Sequence, residues 1–475
     1  MKRLKQYINR FQRLTSQGVK RFYSLSRRLM VRQRFKFTIL GLCFVLWSCR
    51  LLATSPVEQT QVPDPALTRS ITAMEQHLEQ QYEDYFGREL ADTSLDSNEI
   101  AQMLLGQIRQ TGRKAAVLWV MPKPDHLRLV LINPGGLPIV HEVYEADTEK
   151  LYSIVRRFFI EITNPRKLTT TSYLEPAQQL YNWIIKPIKS DLEANGIETI
   201  LFCLGEGLRT LPLAALHDGQ QFLIEQYGIT RIPGFNLMNH EYTQLNDAKV
   251  LAMGASEFKG QNPLPAVPME LSTIVQKTNP NLVGLWPGKS FLNDTFTLNN
   301  LDQQLTAEDY KIIHLATHAE FKPGEPNQSY IQLWDSQLRL NQMPEMDWNQ
   351  PPAELLVLSA CQTAVGNAEV ELGFAGLALQ SGVKSALASL WYVSDLGTLG
   401  LMSEFYQQLK TASTKAEALQ NAQIAMIQQK VRFDEGQLIT SANSLSLPPE
   451  LEELDDLKMS HPFFWSGFNL IGSPW

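Results

Sequence analysis

Two side chains in this sequence are equipped to break an acyl bond, and each stands where a run of apolar residues ends. His318 closes KIIHLATH and Cys361 closes ELLVLSAC. An imidazole beside a thiol generates or stabilises the thiolate, which is the nucleophile. If the two runs are adjacent strands of a parallel sheet, both side chains emerge at the same edge, where ligands of such sheets bind. The competing reading is two structural residues, because free cysteine is among the most buried residue types. His314, four residues before His318, and His461 in SHPFFW read as core or structural histidines. Arg209, with five donors, reads either as a loop anchor or as a substrate contact.

These residues need a scaffold, and the chain from about residue 198 supplies one. TILFCLG, KVLAMGA, NLVGLW, YKIIHLATH, ELLVLSAC and SALASLW are short apolar runs ended by glycine or polar clusters. They are apolar on both faces, as strands of a helix-covered, mostly parallel α/β sheet are. Upstream, Leu67, Ile71, Met74, Leu78, Tyr82 and Tyr85 recur at helical spacing. A second helix is predicted from Asn98 to Thr111, with Asp96 and Glu99 as a capping box and Gly112 as its stop. KAAVLWVM, LRLVLINP and PIVHEVYE predict a three-strand meander, and further helices are predicted over 147–162 and 175–194.

Charge divides the chain. The first 57 residues hold thirteen Lys and Arg and no acid, so residues 58–475 carry 29 basic against 49 acidic residues, a formal charge of −20. That acidic body excludes nucleic acid as a partner, which needs a basic face. Behind the basic tail 1–36, FTILGLCFVLWSCRLLA (37–53) forms a helix of about 25 Å, just short of the roughly 30 Å hydrocarbon core. The expectation is a single-pass transmembrane signal anchor, with the tail cytoplasmic and the body extracytoplasmic. A cleaved signal peptide and a secreted body are the alternative. Residues 54–66 read as a linker. Of the four cysteines, Cys43 and Cys49 fall in the apolar run, leaving Cys203 and Cys361 in the body, able to pair in an oxidising space.

Four ordered blocks carry a family resemblance: HLATHAEF (314–321), LLVLSACQTA (355–364), ELGFAGLALQSGVKSALASLWYVSD (371–395) and SHPFFWSGFNLIG (460–472). Together with ILFCLGEGLRTLPLAALHDGQQFLIEQYGI (200–229), they resemble the CHAT family of caspase-like domains, related to separase, caspases and gingipains. The resemblance runs from about residue 170 to 472 and implies a caspase-like α/β fold over 170–475, preceded by a helical and β-meander region over 67–169. It also implies cysteine-peptidase chemistry, with His318 and Cys361 as catalytic dyad and the N–H groups near Ala319 and Cys361 as oxyanion hole. Asp395 resembles the aspartate that receives a basic side chain before the cut bond. A carboxylate about 4 Å from a guanidinium is worth about 4 kcal/mol at an effective dielectric near 20, so Arg or Lys is favoured there. Read from the residues alone, Asp395 is equally a helix N-cap. Ala319 and Gln362 replace glycines of active relatives, Gly205 and Glu206 replace Asp-Gly, and the helical repeats found in the family are absent. A catalytically silent CHAT domain serving as a binding or signalling module is therefore the alternative to a peptidase.

Other chemistries find no support. VGLWPGKS (283–290) imitates a phosphate loop, but three residues separate its glycines where four are required. There is no G-x-S-x-G elbow, C-x-x-C or H-E-x-x-H. No metal and no cofactor are expected, and the partners implied are a protein or peptide substrate and the membrane.

Overall fold

The first helix, Pro65–Phe86, begins where Asp64 accepts a hydrogen bond from the Ala66 N–H at 2.9 Å, with Pro65 already at a helical φ. It thus starts inside the segment read as linker. The second, Ser97–Thr111, opens on the capping box read from the sequence: Asp96 accepts from the N–H groups of Asn98 and Glu99, and Glu99 accepts from the Asp96 N–H at 2.8 Å. Gly112, at φ 71°, ends it. The meander follows as β1 (Ala115–Lys123), β2 (His126–Ile132) and β3 (Ile139–Val143), then the helices Thr148–Thr163 and Leu174–Ile184. The single helix predicted over 175–194 is broken. Pro187 has no N–H to donate, so a 3-10 turn, Lys186–Ile188, separates Leu174–Ile184 from the short helix Lys189–Asn195.

Among the described residues fifteen further strands follow: β4 (Thr199–Leu204), β5 (Gly228–Ile232), β6 (Val250–Gly254), β7 (Gly288–Leu292), β8 (Ile312–Ala316), β9 (Ala319–Phe321), β10 (Tyr330–Gln332), β11 (Gln337–Arg339), β12 (Leu355–Leu358), β13 (Gln362–Thr363), β14 (Ser385–Ser389), β15 (Arg432–Asp434), β16 (Gln437–Ile439), β17 (Ser444–Ser446) and β18 (Phe468–Gly472). This computed structural model describes residues 64–90, 94–276, 284–346, 348, 352–359, 362–363, 367–452 and 459–475, which form one compact unit. The basic tail, the run 37–53 and the chain up to residue 63 lie outside the described residues. Among the described residues no helix is long and apolar enough to cross a membrane.

Eleven strands make one sheet in the order β3-β2-β1-β4-β5-β18-β14-β12-β8-β6-β7. Only the meander pairings and β14 with β18 are antiparallel; the other seven are parallel. Because β18 opposes β14, the C-terminal ends of β6, β8, β12 and β14 share one edge, and those of β4 and β5 lie at the other. The meander belongs to the same sheet, since β1 pairs with β4 in register Ala115↔Thr199. Both faces are covered: Val117, Trp119 and Met121 of β1 pack with Ile71, Leu78 and Leu104 of the first two helices, while Ala116, Leu118 and Val120 join the larger core with Leu151, Val155 and Phe158.

One predicted strand is misplaced. The edge strand is β7, GKSFL, and Trp286 of NLVGLW lies before it, fully buried, its indole N–H donating to the Tyr406 carbonyl at 3.2 Å. β7 is the exposed edge of the sheet and needs no apolar composition. Gly288 opens it at φ 152°, with the carbonyl oxygen of Val250 only 1.9 Å from where a Cβ would stand. The glycine of GKS thus serves backbone approach, not phosphate binding.

Candidate active site

β8 and β12 are neighbours and parallel, in register Leu315↔Leu358, and the Ser359 N–H donates to the Leu315 carbonyl at 3.2 Å. His318 is three residues beyond Leu315, and Cys361 is three residues beyond Leu358. Past the main sheet the chain enters a small sheet of order β11-β10-β9-β13, in which β13 pairs with β9 in register Gln362↔Glu320. Cys361 itself lies outside the described residues. The backbone on either side of it, at Ser359 and Gln362, pairs with the strands that bracket His318.

His318 stands in the turn between β8 and β9, two residues past the strand the sequence has it closing. Its Nε2 lies 2.8 Å from the main-chain oxygen of Asn262. A carbonyl only accepts, so Nε2 carries the proton and, in the neutral ring, Nδ1 keeps its lone pair. Two rings hold the imidazole: Phe258 at 4.7 Å between centroids, and Tyr392 at 6.5 Å in a near-parallel stack. An imidazole gripped this way has little rotational freedom left.

Asp395 is reached through Tyr392, whose hydroxyl donates to Asp395 Oδ1 at 2.9 Å. Burial raises its carboxyl above the usual range, opposed by the Tyr392 hydroxyl, by the Ala266 N–H and by the nearby His318 imidazole. The N-cap of the helix Asp395–Leu409 is Ser394, whose Oγ accepts from the Gly397 N–H at 3.2 Å, so Asp395 is its first residue and not its cap. The position still suits a carboxylate, at the positive end of the helix dipole.

Ala319 opens β9 opposite Ile331 of β10. The Gln332 N–H donates to the His318 carbonyl at 2.8 Å, so Ala319 and Ile331 form a non-hydrogen-bonded pair. The Ala319 N–H therefore turns away from β10, toward the side where β13 lies. Ala319 is not among the non-glycine residues with positive φ, so alanine meets no backbone strain there.

Several other candidates are structural. His314 is buried, with Nδ1 3.1 Å from the Tyr406 hydroxyl and Nε2 3.0 Å from Glu270 Oε1. His461 accepts the Phe463 N–H at 3.2 Å and is held neutral by burial, its pKa lowered to about 4. Arg209 is buried, hydrogen-bonded to Gln81 and stacked 5.6 Å over the Tyr82 ring: it is an anchor between the first helix and the loop after β4. Cys203 is free and buried beside Glu75 on β4, and three strands separate β4 from β12. The altered Gly205–Gly207 stretch docks on Val120 and on buried Glu371, which accepts the Gly207 N–H at 2.9 Å. Sequence reasoning passed over Tyr392, Phe258 and Asn262. Tyr392 stands three residues before Asp395, a spacing that signals contact at a helix start. Nothing in a sequence marks a main-chain carbonyl as the partner of a histidine.

A mostly parallel α/β sheet flanked by helices, with the His318 turn at the edge where β8 and β12 end, defines the class of fold, and the sequence places it more narrowly. The CHAT domain profile matches residues 174–473, more than half of the chain, which belongs to that family. No curated protein matches it. Among solved structures it is similar to a chain of the Saccharomyces cerevisiae separase–securin complex, at 10% identity over 87% of this chain and 34% of that one, with a TM-score of 0.48. This chain spans about a third of that protein's length. It is also similar to the complex of Porphyromonas gingivalis RgpB pro- and mature domains, at 13% identity over 75% of this chain and 78% of that one, TM-score 0.36. A third similar structure is the Arg-specific cysteine proteinase gingipain R, at 11% identity over 69% and 75%, TM-score 0.34.

Proposed function

We propose that this CHAT protein is a cysteine endopeptidase that cuts after Arg or Lys. Cys361 gives its proton to His318 Nδ1 and attacks the scissile carbonyl; the N–H groups of Ala319 and Cys361 hold the oxyanion. His318 then protonates the leaving amine, and water, deprotonated by the same nitrogen, releases the acid from the thioester. The observation that carries this reading is the register Leu315↔Leu358, which places the two chain segments leading to His318 and Cys361 side by side at equal offset. The Asn262 carbonyl supports the assignment of Nδ1 as base. Asp395, half-buried and with no basic side chain bonded to it among the described residues, supports a basic substrate residue.

An arginyl acyloxymethyl ketone tests the dyad. Covalent labelling is expected in the wild type and lost in both Cys361→Ala and His318→Ala. Absence of labelling in the wild type, or labelling that survives Cys361→Ala, refutes the peptidase; the first outcome is that of a silent CHAT domain. We also propose residues 37–53 as a single-pass anchor. The full chain is expected to resist alkaline carbonate extraction, whereas a mature N-terminus beyond residue 53 assigns the run to a cleaved signal.

A further inference from the structure

A cleft of about 940 Å³ opens beside His318. Phe258 lines it and packs on the imidazole, and Gln332 lines it and donates its N–H to the His318 carbonyl, so cleft and candidate active site share a wall. Its volume is at the upper end of what ligand pockets offer.

Three aromatic rings, Phe258, Tyr330 and Trp334, line this space. Trp334, which lines the cleft, is 38% exposed, and Tyr392, whose ring stacks on His318, is 42% exposed. Exposed aromatics in a concave site are the usual anchors of a partner, since they gain most on losing water. The polar floor is already fixed. Gln332 Nε2 donates to the carbonyls of Leu333 (2.7 Å) and Ser336 (3.0 Å), and Gln337 Nε2 donates to Gln332 Oε1 at 3.2 Å. The Tyr330 hydroxyl donates to Glu320 at 2.9 Å. Little side-chain entropy remains to be lost on binding. Glu257 and Asp335 against Lys259 leave one net negative charge, which favours neither a polyanion nor a polycation.

We propose that the cleft receives an aromatic side chain of the polypeptide whose basic residue meets Asp395, so that the protein reads a basic and an aromatic residue together. This rests on the peptidase reading for its substrate class. The test is equilibrium binding by fluorescence anisotropy to the full chain. The probes are labelled peptides with one Arg and an uncleavable reduced bond after it, carrying Trp or Ala at each position within four residues on either side. One or more Trp positions are expected to bind at least tenfold tighter than their Ala counterparts. Trp334→Ala is expected to abolish that gain and Trp334→Phe to keep most of it. Gln337→Lys, a change at an exposed lining residue that narrows the cleft, is expected to reduce it. No gain at any position, or a gain that persists in Trp334→Ala and Gln337→Lys, overturns the proposal. Because the readout is binding, it stands whether or not the dyad cuts; loss of covalent labelling refutes the peptidase alone.

Discussion

Tyr392→Phe separates the two things Tyr392 does, because it keeps the ring stacked on His318 and removes only the hydroxyl bonded to Asp395. That bond favours the ionised carboxylate against burial, so without it Asp395 holds its proton to higher pH. A hydrogen bond to a charged acceptor is worth about 1.5–3 kcal/mol. Tyr392 is 42% exposed, so solvent screens it and the lower end applies, about 1.5 kcal/mol or roughly a factor of ten. Labelling by the arginyl ketone is therefore expected to fall about tenfold on the acid side of its pH profile, with the acid limb moved to higher pH and little change at pH 8. A citrulline ketone, isosteric but neutral, is the control and is expected to be unaffected. An unmoved acid limb, or equal losses for both reagents, refutes the assignment of Asp395 to a basic residue.

Two histidines shielded from water give the fold an acid limit. Burial lowers His240 and His461 to about 4, so between pH 6.5 and 4 the unfolded chain takes up protons that the folded one does not, and stability falls as pH falls. Each contributes at most about 3–4 kcal/mol; urea midpoints at pH 6.5 and 4.5 are expected to differ less in His461→Asn than in the wild type, and identical differences contradict the assignment. Gly288→Ala places a methyl group against the Val250 carbonyl and is expected to cost at least about 2 kcal/mol by chemical denaturation, so a neutral effect refutes the packing at β7. Burial pushes the Cys203 thiol up, so iodoacetamide is expected to spare it in the native protein and modify it only on unfolding, as mass spectrometry of the Cys203 peptide reads directly.

Much of the scaffold was legible in the amino-acid order, because strands buried on both faces must be apolar at every position. That rule located β4, β6, β8, β12 and β14, and the Asp96–Glu99 box with Gly112 located the second helix, since those signals are local. β5, GITRI, escaped it. Arg231 sits buried in that strand, with its guanidinium satisfied by the carbonyls of Arg209 and Leu211 and by Asn469, partners that only folding assembles. β9 to β11 and β13 are two or three residues long, too short for any periodicity to register. His318 and Cys361 were visible as residue types at the ends of apolar runs, and so was Asp395 by resemblance.

What tertiary structure alone decided was their company: which strands adjoin, the antiparallel seam at β14 and β18, the Asn262 carbonyl that selects the histidine tautomer, and the aromatic cleft beside it. Each depends on atoms far apart in the chain meeting through backbone groups that every residue carries, and such groups leave no trace in the order of side chains.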